Sequence, residues 1–165
     1  MTRMTPWKPT KAAHLIMLAL KEVGKPYLLG AEGQPGEEMK AWDCSELVQH
    51  LIARVGVEEV TDSRGRATPI AQFDGAGNQW AASVSIPVQD GIKLPGALLF
   101  VQSPAAYPRK PHNIGHVAIS LGNLGNGYLL EARGAQYGVT IGPVRSSFNR
   151  ACKVRGLYTP ALISP

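Results

Sequence analysis

Residues 43–56 read DCSELVQHLIARVG, and this stretch decides how the chain folds. Its apolar residues recur at helical spacing, which predicts a helix that begins at Cys44 and continues to Val55. Asp43 is a favourable N-cap, Glu46 three residues later completes a capping-box-like pair, and a glycine follows to end the helix. The Cys44 thiol therefore lies at the helix start, on the side expected to face the core.

The rest of the chain predicts further helices before Leu94 and strands after it. Thr10 is expected to cap a helix from Lys11 to about Val23, and Thr68-Pro69 to begin a short helix that ends near Trp80. Short apolar runs separated by glycine then predict strands at residues 97–101, 116–121, 128–133, 138–141 and 152–158. We therefore expect an α+β fold in which N-terminal helices pack on a C-terminal antiparallel β-sheet.

Length, composition and charge are those of one globular domain. The chain has 165 residues, 44% of them hydrophobic, which suffices for one core and is too few for two ordinary domains. We expect an extended lead-in at residues 1–10 and a single domain over residues 11–165. The net charge of +5 suits a polyanion. The basic residues are scattered and not interleaved with aromatics, however, so nucleic-acid binding is not expected.

Neither a membrane segment nor a metal site is predicted. The apolar run at residues 14–20 is too short to cross a bilayer and lacks a small-residue cleavage site, so we expect no membrane anchor and no signal peptide. Cys44 and Cys152 are the two cysteines, and their separation argues against a disulfide framework or a cysteine-based zinc site. We expect a monomer without cofactor or metal.

The position of Cys44 suits a nucleophile. The first-turn amides and the dipole of a helix favour a negative group, so a thiol placed there ionises more readily than one in solution. The alternative is that Cys44 is a small buried hydrophobic residue, since free cysteine is among the most buried residue types. The motif alone leaves both interpretations open.

His116 and Glu131 are candidates for the partners of this thiol. Side chains alternate along the predicted strand from His116, and the glycine-rich segment 122–127 predicts a hairpin. If its loop has four or six residues, Glu131 falls on the same face as His116, either directly opposite or diagonal; an odd loop would put it on the other face. In such a set the histidine takes the thiol proton and the carboxylate orients the ring. The alternatives are a structural histidine and a solvent-facing glutamate.

An ordered set of short motifs resembles the NlpC-type cell-wall cysteine peptidases over residues 12–142. The motifs are Tyr27-Leu28-Leu29-Gly30, Asp43-Cys44-Ser45, Arg66-Ala67-Thr68 with Gln72, Leu94-Pro95-Gly96, and Gly115-His116-Val117-Ala118-Ile119. The resemblance implies a papain-like core and hydrolysis of an amide bond in the stem peptide of peptidoglycan. In this family the bond commonly joins the side-chain carboxyl of D-glutamate to a diamino acid, and cleavage passes through a thioester.

The resemblance also implies a role for individual residues. Cys44 corresponds to the nucleophile, His116 to the general base, and Glu131 falls where the family places its third polar residue. The Tyr27 hydroxyl and the Cys44 backbone amide correspond to the oxyanion donors. The residues implied to bind substrate are Asp43, Ser45, Arg66 and Gln72.

Three positions depart from the family pattern. Members usually carry histidine where this chain has Glu131, and an anion there would stabilise the charged form of His116 more strongly and favour an ion pair with Cys44. Ala97 stands where members commonly have aspartate, and Glu46 replaces a frequent glycine. The carboxylate of Asp43 would also work against ionisation of the neighbouring thiol. These departures bear on substrate preference more than on the fold.

Two other functions remain open at the level of sequence. One is a non-catalytic structural or assembly component of a phage tail, and the other is a thiol amidase or acyltransferase that acts on a different substrate. The expected partner of an enzyme is the peptidoglycan stem peptide, with phage tail proteins or an immunity protein as further candidates. Without a signal peptide, the protein would reach the cell wall after release or delivery by another system.

Overall fold

The computed structural model describes residues 10–29, 41–123 and 127–158, and these residues contain four α-helices. The predicted lead-in falls outside the described residues except for Thr10. The helices are α1 (Lys11–Leu20), α2 (Cys44–Arg54), α3 (Ala76–Ala81) and α4 (Val88–Lys93). None of these helices is long and apolar enough to cross a membrane.

The strands form one large sheet and one small hairpin. The small hairpin consists of β1 (Glu59–Thr61) and β2 (Ala67–Pro69). The large sheet has six strands in the order β3-β8-β4-β5-β6-β7, and every neighbouring pair is antiparallel. Its strands are β3 (Val84–Ile86), β4 (Leu98–Gln102), β5 (Ile114–Gly122), β6 (Tyr128–Ala132), β7 (Val139–Pro143) and β8 (Arg150–Lys153). This architecture confirms the predicted α+β class.

The core lies mainly between the first two helices and one face of the large sheet. Leu15 from α1, Leu51 from α2 and Val117 from β5 are all fully buried there. Because side chains alternate along each strand, the neighbouring residues point to the opposite face. A smaller cluster on that face joins Leu99, Ala118, Leu129, Phe148 and Ala151, with α4 residues packed against it.

The N-cap of α2 is the residue that the sequence predicts. Asp43 is the N-cap residue, and its Oδ1 accepts a hydrogen bond of 2.8 Å from the backbone amide of Glu46. The Glu46 carboxylate lies 3.2 Å from Nε2 of His50, one turn further along the helix. Gly56 follows the helix with a φ of 89°, a left-handed conformation that glycine adopts without strain.

The prediction that a helix begins at Thr68-Pro69 is wrong. Thr68 pairs with Val60 in the small hairpin, and α3 begins only at Ala76. The Asp62 carboxylate accepts hydrogen bonds from the amides of Arg64 and Arg66 and thereby closes the turn between the two strands. Pro69 is tolerated because it ends an edge strand, where no ladder donor is needed.

Smaller differences occur at the strand boundaries. The last strand is β8 (Arg150–Lys153) and not residues 152–158, because the chain turns into a short 3₁₀ helix at Arg155–Leu157. Strand β3 and helix α4 were not expected from the sequence. Both are short, with three and six residues, and short elements depend on their neighbours more than on local preference.

We predict that Gly77→Ala destabilises the fold. A Cβ at Gly77 would lie 2.2 Å from the carbonyl oxygen of Pro111, so α3 and the segment before β5 would have to separate. Overpacking of this kind costs about 1–3 kcal/mol. The free energy of unfolding in urea measures the effect. Gly142→Ala is the matched control, because nothing lies within 4 Å of its added Cβ, and equal losses in both variants would contradict the prediction.

Candidate active site

Cys44 opens onto a cavity of about 170 Å³ at the start of α2. The thiol is half-buried, with one side packed against the core and the other in the cavity. The walls come from the segments around Tyr27, α2, α3 and β5: Tyr27, Leu29, Asp43, Cys44, Ser45, Gly75, Ala76, Gly77, Asn78, Lys110, Pro111, Ile114 and Gly115. The nucleophile candidate is therefore accessible to a ligand.

His116 and Glu131 meet across neighbouring strands. In the pairing of β5 with β6, Ile119 lies opposite Leu130 and Ser120 opposite Leu129, which are the partners predicted for a six-residue loop. Nearer the turn Gly122 pairs with Tyr128, so the loop has five residues, and an irregularity between Ser120 and Gly122 restores the predicted register. Glu131 is therefore diagonal to His116 on the same face. Nε2 of His116 lies 2.6 Å from Oε2 of Glu131, and the Glu131 side chain is only 1% exposed.

The charges of this pair stabilise each other. Burial raises the pKa of Glu131, but its hydrogen bonds and charge interactions with His116 and Arg145 outweigh burial and lower the pKa to about 2. Burial lowers the pKa of His116, but its interactions with Cys44 and Glu131 outweigh burial and raise the pKa to about 9. Because Nε2 faces Glu131, Nδ1 is the ring nitrogen left for the thiol. Near neutral pH the ring is thus protonated, with the Glu131 carboxylate as its anionic partner.

Tyr27 and Cys44 lie on the same cavity wall because their segments pair. The backbone of Trp42, two residues before Cys44, bonds to Pro26 and Leu28 on either side of Tyr27. Burial, followed by the negative charges of Cys44 and Asp43, raises the pKa of Tyr27 to about 12. Its hydroxyl therefore stays protonated and can donate a hydrogen bond into the cavity.

Asp43 and Ser45 also line this cavity, whereas Arg66 and Gln72 do not. The latter two line a second groove of about 360 Å³, and Asn78 borders both spaces. Nε of Arg66 donates a 2.8 Å hydrogen bond to Asp62, so its charge is paired. The structure brings Arg66 and Gln72 to an adjacent groove and not to the thiol itself.

Sequence reasoning missed several residues that support the site. Arg145 forms two hydrogen bonds with the Glu131 carboxylate, and Phe148 packs its ring against His116 at a centroid distance of 5.8 Å. The amide of the buried Gln79 donates to the carbonyl oxygens of Ser45 and Phe73, which ties α3 to the start of α2. None of these residues belongs to a local motif, so no signal in the sequence marks them.

Comparisons with known proteins give the family. A sequence model of the NlpC/P60 family matches residues 24–155. The chain belongs to the NlpC/P60 family. The matched range includes every residue of the site described above, from Tyr27 to Phe148. No curated protein is similar enough to this NlpC/P60 chain to count as a match.

Solved NlpC/P60 structures share the fold. The NlpC/p60 domain of the peptidoglycan hydrolase SagA is 25% identical with a TM-score of 0.60, covering 87% of this chain and 98% of that one. The P60 domain of an antigen from M. avium subspecies paratuberculosis is 25% identical with a TM-score of 0.63, and the match covers 90% of this chain and 96% of that domain. The peptidoglycan hydrolase RipB from Mycobacterium tuberculosis is 26% identical with a TM-score of 0.61, and the match covers 87% of this chain and 64% of the RipB chain. This chain thus spans less than two thirds of the RipB chain.

We predict that Glu131→Gln lowers the pKa of His116. The amide keeps the shape of the carboxylate but removes its charge, so burial of the ring is opposed by Cys44 alone. The pKa is expected to fall from about 9 by about one unit or more. NMR titration of the His116 ring protons in wild type and Glu131→Gln measures this change. An unchanged His116 titration would show that Glu131 does not set the charge state of the ring.

Proposed function

We propose that this NlpC/P60 protein is a cysteine peptidase that hydrolyses an amide bond in the stem peptide of peptidoglycan. The observations that carry the proposal are the accessible Cys44, its interaction with the His116 ring, and the 2.6 Å contact of that ring with the buried Glu131. Family membership supports it, as do the solved neighbours SagA and RipB, both described as peptidoglycan hydrolases. The proposed place of action is accordingly the bacterial cell wall.

The proposed reaction starts from the ion pair in which the proton of the Cys44 thiol rests on Nδ1 of His116 and Cys44 is the thiolate. The thiolate attacks the carbonyl carbon of the scissile amide, and the resulting oxyanion accepts hydrogen bonds from the Tyr27 hydroxyl and the Cys44 amide. His116 then gives its proton to the leaving amine as the C–N bond breaks, which leaves a thioester. A water molecule gives a proton to His116 as it attacks the thioester, and the C–S bond then breaks to release the acid and restore the ion pair of Cys44 and His116.

The proposed bond joins the side-chain carboxyl of D-glutamate to a diamino acid, as in the related peptidases. Asp43 and Ser45 lie beside Cys44 in the cavity, where an anion and a hydroxyl suit the ammonium end of a short peptide. Arg66 and Gln72 line the adjacent groove and would bind a more distant part of the wall polymer. Delivery to the wall, and any phage tail or immunity partner, remain predictions from the sequence.

We predict that Cys44→Ala abolishes release of new amines from purified sacculi. Loss of the nucleophile removes the thioester route, so the rate should fall on the order of 10³-fold or more. Cys152→Ala is the matched control, because this second thiol is buried in the core away from the cavity and its removal should leave the rate unchanged. Equal activity of wild type and Cys44→Ala would favour a non-catalytic role. A covalent adduct on Cys44 that lacks a wall peptide would favour an amidase or acyltransferase on another substrate.

We predict that Asp43→Asn weakens substrate binding but leaves the capping of α2 intact. Asparagine caps helices about as well as aspartate, so the free energy of unfolding should change little. The loss of negative charge should raise KM for a stem peptide with a free amino end by about tenfold or more, since hydrogen bonds to charged groups contribute roughly 1.5–3 kcal/mol. Asp43→Ala should in addition lower stability by about 1 kcal/mol. An unchanged KM in Asp43→Asn would restrict Asp43 to its structural role.

A further inference from the structure

We propose that Arg145 is a positioning residue for this chemistry, because its guanidinium holds the Glu131 carboxylate in the orientation that the His116 ring requires. The inference rests on the proposed function of Cys44, His116 and Glu131. It assigns the connection between β7 and β8, which carries Arg145, to the machinery of the site.

The contact between Arg145 and Glu131 is a paired one. Nη1 of Arg145 donates to Oε1 at 2.5 Å, and Nη2 donates to Oε2 at 2.9 Å. Oε2 is also the atom that contacts the His116 ring, at 2.6 Å. Two parallel bonds fix the plane of a carboxylate, whereas a single bond leaves it free to turn. The ring therefore meets an oxygen that is already held in place.

The same connection supports the ring of His116 directly. The Arg145 guanidinium lies 5.1 Å from the centroid of the Phe148 ring, and Phe148 in turn packs against His116. Phe148 is anchored in the smaller core cluster with Ala118 and Leu129, which flank the histidine and the glutamate on their strands. One short segment thus contributes both a charge that orients the carboxylate and a ring that packs against the imidazole.

The charged groups around Glu131 indicate what Arg145 contributes. His116 faces the carboxylate from β5, Arg145 from beyond β7, and Arg133 from the end of its own strand, with Nε 4.0 Å from Oε1. Cys44, at the start of α2, also interacts with the His116 ring and favours its charged form. Removal of Arg145 leaves burial, which raises the pKa of Glu131, less strongly opposed. A carboxyl that takes up a proton at mildly acidic pH no longer stabilises the imidazolium.

The test is the pH dependence of Cys44 alkylation by iodoacetamide, measured on the full chain in a Cys152→Ala background without substrate. In Arg145→Met the pH at which the alkylation rate falls on the acidic side, the acidic limb of the profile, should rise by about one unit or more. The rate of sacculus hydrolysis should fall by about tenfold or more. Arg133→Met is the matched control. It removes a cation near the same carboxylate but no paired hydrogen bond, and it should follow the wild-type profile. Arg145→Lys, which keeps the charge but loses the paired bonds, should lie between wild type and Arg145→Met.

The inference is overturned if a folded Arg145→Met variant loses alkylation at the same acidic pH as wild type. It is also overturned if Arg133→Met shifts that pH as much as Arg145→Met does. Folding is checked by circular dichroism and the unfolding temperature. Should Arg145→Met fail to fold, Arg145→Lys is the deciding variant. An acidic limb at higher pH than in wild type supports the inference, and an acidic limb at the same pH overturns it. Wild-type protein that leaves sacculi intact contradicts the proposed function alone, because alkylation reports on the thiol and its partners without any wall substrate.

Discussion

The buried carboxylate of Glu131 is the constraint on which the site depends. Its side chain is almost completely removed from water, and a charge in that position is strongly destabilising unless other charges and hydrogen bonds compensate it. Compensation comes from His116 on the neighbouring strand and from Arg145 beyond β7. The pairing of β5 with β6 and the path of the β7–β8 connection are therefore both tied to the charge of this one group.

A second set of contacts fixes the thiol against this carboxylate. Trp42 is buried just before α2, and its indole Nε1 donates a 2.9 Å hydrogen bond to the buried Glu22, which follows α1. The backbone of Trp42 at the same time holds the segment of Tyr27. The start of α2, the Tyr27 hydroxyl and the end of α1 are thus joined through one residue. A displacement of α2 would alter the position of Cys44 relative to both His116 and Tyr27.

Much of the site could be predicted from the sequence because its determinants are local. The cap at Asp43 and the apolar spacing after it define α2 without reference to the rest of the chain. Strand alternation places Glu131 on the face of His116 in the register that β5 and β6 adopt, but that register also depends on an irregularity between Ser120 and Gly122 that the sequence does not reveal. Thr68-Pro69 shows the limit of such reasoning, since the same two residues can start a helix or end an edge strand. What decides between these outcomes is the set of hydrogen bonds that Asp62 accepts within the hairpin turn. Arg145 lay beyond prediction, because its contact arises where one connection crosses the sheet.

Glu131 and Arg145 are best understood as a unit. The family resemblance leads one to expect histidine as the third residue, and a neutral ring needs no counter-ion. A glutamate brings a full negative charge to the same buried place, and Arg145 is the cation that compensates it while leaving Oε2 in contact with His116. With the imidazole protonated, the three groups carry one net positive charge. A thiolate at Cys44 would bring the total to zero, so the ion pair proposed to start the reaction is the state in which the charges of these four groups cancel. The departure from the family pattern at position 131 therefore does not weaken the assignment of the site, because a second residue accounts for its charge.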